Sequence, residues 1–98
     1  MAVRFANPIH PGEILREEYL VPLGISAGAL ARALHLPRTH IERIVKEEVG
    51  ITPDTALRLA RFFRTTAEFW MNMQTSYELA AEEHSKRAEL ESIKPMAA

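Results

Sequence analysis

The chain has no cysteine. That excludes a disulfide framework, a thiol nucleophile and a cysteine-ligated zinc site. No apolar run approaches the roughly 20 residues that span a bilayer, and the N-terminus lacks the apolar centre of a signal peptide. The expectation is a soluble, cytoplasmic protein with no membrane partner. Glycine is scarce, at four residues, and none falls in a phosphate-cradling loop. No stretch alternates as a strand does, and there is no repeat or low-complexity tract. His10, His35, His40 and His84 are scattered, without the helical His pair and Glu of a zinc hydrolase, and read as surface groups. Ser26, Ser76 and Ser85 have no evident base and orienting acid. Glu82, Glu83 and His84 stand on a helix end without a closed pocket. No set of residues has defined catalytic roles, so the expectation is no enzyme, no cofactor and no metal.

What is present is ordinary globular composition: 98 residues, 47% hydrophobic and 26% charged, with a net charge of −1. That length makes one domain with a single modest core. The charge is unevenly spread. Seven basic and four acidic residues lie between Arg32 and Arg64, against five basic and nine acidic elsewhere. A binder of polyanions at large would carry a greater surplus; a local basic face suits a specific one.

The basic surplus centres on residues 25–45, which read as two short helices and a tight turn. Leu30, Ala31 and Leu34 form an apolar face on the first helix, and Ser26 stands where its hydroxyl can cap it. Pro37 stops the pattern, pushing Leu36 out of helical conformation and suiting the start of the next helix. On that helix Ile41, Ile44 and Val45 point together, at about 100° per residue. The other side holds Thr39, Glu42, Arg43 and Lys46, flanked by Arg38 and His40. A short helix with an apolar back and a basic, hydrogen-bonding front is what a helix-turn-helix reader presents to a major groove. Many small helical proteins also contain such a pair without binding DNA.

Residues 1–10 read as an N-terminal arm. Pro11, Gly12 and Glu13 open a helix running to about Leu20, ended by Pro22 and Gly24. Ile14, Leu15 and Tyr19 face the core there, and Arg16, Glu17 and Glu18 read as a solvated face. After a loop at 46–50, Thr52, Pro53 and Asp54 start a helix whose Ala56, Leu59, Ala60 and Phe63 recur at core spacing. Arg58, Arg61 and Arg64 share its outer row. Arg64 reads as solvated, whereas Arg58 and Arg61 are equally candidates for a phosphate or a protein partner. The last helix starts at Thr65, which with Glu68 fits a capping box, or at Thr66. Its stripe of Phe69, Trp70, Met73, Tyr77 and Ala80 is more than a small core encloses, which predicts a dimer surface. Glu82 with Lys86 and Glu83 with Arg87 support an exposed continuation toward Ile93, stopped by Pro95.

Four blocks carry a family resemblance: residues 10–18 (HPGEILREE), 22–24 (PLG), 51–61 (ITPDTALRLAR) and 68–74 (EFWMNMQ) with Tyr77. Together they resemble the HigA-type antitoxins, also called VapI-like proteins, within the Xre-like helix-turn-helix class. The likeness runs from His10 to Leu79. It implies an all-α, five-helix, lambda-repressor-like domain with an extended C-terminal helix. The organisation is an arm at 1–10, a DNA-binding core at 11–64 and a C-terminal helix at 65–94 for core and dimer contact. It also implies a homodimer, operator DNA, and a cognate HigB-type toxin that is a small ribosome-dependent ribonuclease of the RelE-like fold. Two departures stand out. The family usually follows its recognition helix with Asn-Gly and a basic pair, where this chain has Lys46, Glu47, Glu48 and Val49; carboxylates there oppose phosphates. It also often has Gly-Thr-Ser-Pro before Glu-Phe-Trp, where this chain has Arg64, Thr65, Thr66 and Ala67, which favours Thr66 as the cap.

The expected function is a dimeric antitoxin that represses its own promoter and neutralises its toxin. Thr39 and Arg43 are assigned to base edges, arginine being the commonest reader of guanine. Arg38, Lys46 and the Ser26 end of its helix are assigned to phosphates, with His40 at the flank of the DNA-binding set. Trp70, Met73 and Tyr77 are assigned to core and dimer contact. The alternative is a protein-interaction module that keeps the fold with weak or no DNA binding, favoured by Glu42, Glu47 and Glu48.

Overall fold

The computed structural model describes residues 8–97, which form six helices and, among the described residues, no strand. The first seven residues of the expected arm lie outside the described residues, and its last, His10, is part of the fold. His10 is 4% exposed; its Nδ1 accepts from the Gly12 N–H at 2.9 Å and so caps the first helix. Its ring meets Tyr77 edge-on at 4.8 Å. The reading of His10 as a surface group is therefore corrected: the imidazole acts as an N-cap hydroxyl would, in a site lined by the last long helix.

Helix α1 begins at Pro11–Ile14, widens into a π-helical segment at Leu15–Leu20 and finishes at Val21–Leu23. The sequence pattern places its end near Leu20, with Pro22 as a stop. Instead Pro22 lies inside it. Proline has no N–H, and its ring collides with the carbonyl four residues back in a regular α-helix. The π widening, in which the Val21 N–H bonds Arg16 O, is the local repacking that accommodates such a residue. Gly24 then ends the helix in the left-handed region, at φ 65°.

Helices α2 (Ala27–Leu34) and α3 (Arg38–Val45) are the expected pair. Ser26 Oγ accepts from the Ala29 N–H at 3.0 Å. Pro37 stands as the residue before α3, extended at ψ 141°. Helix α4 (Pro53–Phe63) is capped by Thr52, and α5 (Ala67–Ser85) by Thr66, whose hydroxyl accepts from the Phe69 N–H at 3.0 Å. Thr65, the other candidate cap, accepts instead from the Trp70 indole N–H at 2.8 Å. That bond satisfies the one polar atom of a ring that is fully enclosed. The expected run toward Ile93 is interrupted at Lys86, and a short α6 (Arg87–Ser92) follows. No residue beyond Gln74 is buried among those described, so little packing holds that stretch to one axis.

The core is built from Leu15 and Leu20 of α1, Leu30, Ala31 and Leu34 of α2, Ile41 and Ile44 of α3, Ile51, Ala56 and Leu59 around α4, and Trp70 of α5. Tyr19, Phe63 and Trp70 close one end as an aromatic cluster, Tyr19 lying 4.7 Å from Phe63 and 5.2 Å from Trp70. Gln74, buried, accepts from the Ile51 N–H at 2.7 Å and so ties the loop before α4 to α5.

Candidate nucleic-acid interface

Helix α3 is fixed from behind. Ile41 and Ile44 are fully buried and Val45 half-buried, while Arg38, Thr39, Arg43 and Lys46 are exposed. The approach to α1 is close: a Cβ on Gly12 would stand 1.9 Å from Ile44 O. Only glycine lets the start of α1 touch the backbone of α3.

Arginines from the flanking helices hold the ends of both central helices. Arg58 of α4 donates to Leu34 O at 2.8 Å, while Asp54 grips its Nε at 3.1 Å. Arg16 of α1 donates to Val45 O, and its second terminal nitrogen lies 3.3 Å from Glu47. Both cations meet orphan carbonyls at the negative end of a helix. Two readings of the sequence change with this. Arg16 is a clamp and not a solvated residue, and its hydrogen bonds to Glu17 and Glu47 raise its pKa further above the ordinary value. Arg58 has a role in the fold at Leu34 O, which the reading of it as a candidate for a phosphate or a protein partner does not include. Local sequence marks neither role, since the partners lie 29 and 24 positions away.

On the outer face, Arg38 passes over the first turn of α2: a Cβ on Gly28 would be 3.1 Å from Arg38 Cδ. The structure thus brings Arg38 beside the N-terminal turn that Ser26 caps. Arg38 Nε also lies 3.4 Å from Glu42. Thr39 and Lys46 are exposed, Lys46 being the residue that follows α3. His40 is different. Its ring is half-buried, with Nε2 3.2 Å from Thr55 Oγ1. That joins α3 to the first turn of α4, and the reading of His40 as a surface histidine is corrected.

The acidic loop also divides. Glu47 takes the left-handed conformation, φ 63°, which the Asn-Gly of the resemblance would adopt with less strain. It turns back to Arg16. Glu48 reaches Arg43 Nε at 3.7 Å. Neither carboxylate therefore stands as an isolated charge.

Trp70, Met73 and Tyr77 are not equivalent. Trp70 is wholly enclosed within the chain, whereas Met73 and Tyr77 are half-buried. Met73 lines a shallow groove with Ile14, Glu18, Tyr19 and Phe69. Among the described residues, the exposed apolar rings are Phe62 and Phe69. No described helix is long and apolar enough to cross a membrane.

Residues 15–70 match the helix-turn-helix family. Virulence-associated protein I of Dichelobacter nodosus is 59% identical over 80 residues, 82% of this chain and 74% of that protein. Antitoxin HigA-1 of Vibrio cholerae is 33% identical over 90 residues, covering 92% and 85%. Among solved structures, the Pseudomonas aeruginosa antitoxin HigA with the higBA promoter superposes with a TM-score of 0.90 at 46% identity, covering 93% of this chain and all of that one.

Proposed function

The chain belongs to the helix-turn-helix family that includes virulence-associated protein I and the HigA antitoxins, and on that premise we propose that it is a promoter-binding antitoxin. As a homodimer it binds operator DNA upstream of its own gene and neutralises a RelE-like ribonuclease toxin, in the cytoplasm. The observation that carries the DNA reading is the two-sided α3: a fully buried Ile41 and Ile44 back under an exposed Arg38, Thr39, Arg43 and Lys46 front. Support also comes from the likeness to a HigA seen with its promoter. Thr39 and Arg43 read base edges. Arg38, Lys46 and the Ser26 end of α2 hold phosphates, and His40 supports the face through Thr55.

Dimer contact falls to Phe69 and Met73 at the rim of the groove, with Tyr77 beside them, over a core that Trp70 fills. The test of the first half is titration of the upstream DNA against an unrelated duplex of equal length. Preferential binding supports the reading, and equal or absent binding contradicts it. For the second half, the gene's neighbourhood is read for a small basic RelE-like frame; expressed alone that frame should arrest growth and co-expression of this chain should restore it, and light scattering should give a dimer at micromolar concentration.

The second reading, an interaction module that no longer binds DNA, has one observation in its favour. Glu42 and Glu48 each pair with an arginine of the presented face. The same titration decides between the two.

A further inference from the structure

The two carboxylates after α3 are neighbours in sequence and opposites in placement. Glu47 faces back to Arg16, which also holds Val45 O; its partner is the scaffold. Glu48 faces forward. Its backbone N–H bonds Arg43 O at 2.9 Å, so the loop returns directly onto the arginine assigned to base edges, and its carboxylate closes on the side chain. The closest approach is to Nε, the inner nitrogen. Bidentate reading of guanine O6 and N7 needs two guanidinium N–H donors held in a fork. The carboxylate, 3.7 Å from Nε and so beyond hydrogen-bond distance, draws the inner side of the guanidinium toward the loop by charge alone and leaves the outer pair, Nη1 and Nη2, to meet the base.

Resting on the DNA-binding reading above, we propose that Glu48 is a positioning residue that sets the base selectivity of Arg43, and that Glu47 has no part in it. The same negative charge repels phosphates whatever the sequence. Glu48 thus lowers affinity for every duplex while sharpening the choice between them. An exposed ion pair of this kind is weak, so its removal should change discrimination about two- to fivefold per half-site.

The experiment compares binding to the upstream operator with binding to operators substituted at each base pair in turn. Wild type, Arg43→Ala, Glu48→Ala, Glu47→Ala and the Arg43→Ala/Glu48→Ala double variant are titrated. The base pair at which Arg43→Ala loses preference defines the position read. Glu48→Ala should lower discrimination there about two- to fivefold while binding an unrelated duplex more tightly. Glu47→Ala should leave discrimination at wild type, and the double variant should match Arg43→Ala in discrimination while binding every duplex more tightly than it. A purely structural role for Glu48 would move stability and not this ratio. Wild type that binds its operator with Arg43-dependent selectivity unchanged by Glu48→Ala overturns the inference alone, as does an equal loss from Glu47→Ala. Wild type that does not prefer its operator to an unrelated duplex overturns the DNA-binding reading itself.

Discussion

Residues 10–74 and residues 75–97 are both largely helical, yet different forces hold them. Every buried residue among those described lies in the first region. There, helix ends are set by side chains from other elements: Arg16 at the end of α3, Arg58 at the end of α2, Gln74 at the loop before α4. In the second region, past the contact of Tyr77 with His10, the helix is supported by its own neighbours, such as Glu82 with Lys86 at 2.9 Å. Helix α5 spans both, anchored through Trp70 in its first turns and clad by solvent in its last. Helicity alone therefore says little about what a segment contributes to stability; burial does.

The sharpest contrast comes from paired truncations. Trp70→Ala should cost about 3 to 5 kcal/mol, while Leu90→Ala, at a half-exposed site, should stay within about 0.5 kcal/mol, both read from urea midpoints. Comparable losses would erase the distinction between the regions. Gly12→Ala comes next. Its methyl would press on Ile44 O, and the forced shift should cost on the order of 1 to 3 kcal/mol, reported by the same midpoints.

The pH response should belong to the first region as well. Burial lowers the His10 pKa below 6.5, opposed in part by the charge of Glu47. The unfolded chain therefore takes up the proton first. The stability that depends on neutral His10 is fully present above the unfolded value of 6.5 and is lost as pH falls through it toward the folded pKa. Protonation of Nδ1 would also remove the acceptor for the Gly12 N–H. His10→Asn keeps a capping oxygen and should flatten this part of the midpoint-versus-pH curve; an unchanged slope would place the titration elsewhere.

Much of the first region is legible in the amino-acid pattern. The spacing of Leu30, Ala31, Leu34, Ile41 and Ile44 marks the central pair and its buried back. Ser26 and Thr52 mark two caps outright. What is not legible has physical reasons. Helix stops at His35 and Arg64 use left-handed residues, φ 58° and 59°, without the glycine that would signal them. Arg16, Arg58 and His10 look like surface polar groups because most of their partners are distant in sequence. Pro22 looks like a stop because a π turn leaves no pattern in composition. In the interface, the two-sidedness of α3 is evident from spacing, but the opposite directions of Glu47 and Glu48 are not.

That leaves two small effects. Arg64→Gly relieves a left-handed non-glycine residue and should stabilise by about 1 kcal/mol, visible as a raised midpoint. Glu82→Gln, in the second region, should cost no more than about 0.5 kcal/mol, and less with added salt.

The central claim is that the exposed face of α3 reads DNA. Its most direct test is the affinity of wild type, Arg43→Ala and Lys46→Ala for the upstream operator and for single-base variants of it. Arg43→Ala should cost about 1 to 3 kcal/mol at one base pair per half-site and lose preference there, while Lys46→Ala should weaken all sequences alike. Unchanged affinity and preference on Arg43→Ala would contradict the assignment of that face.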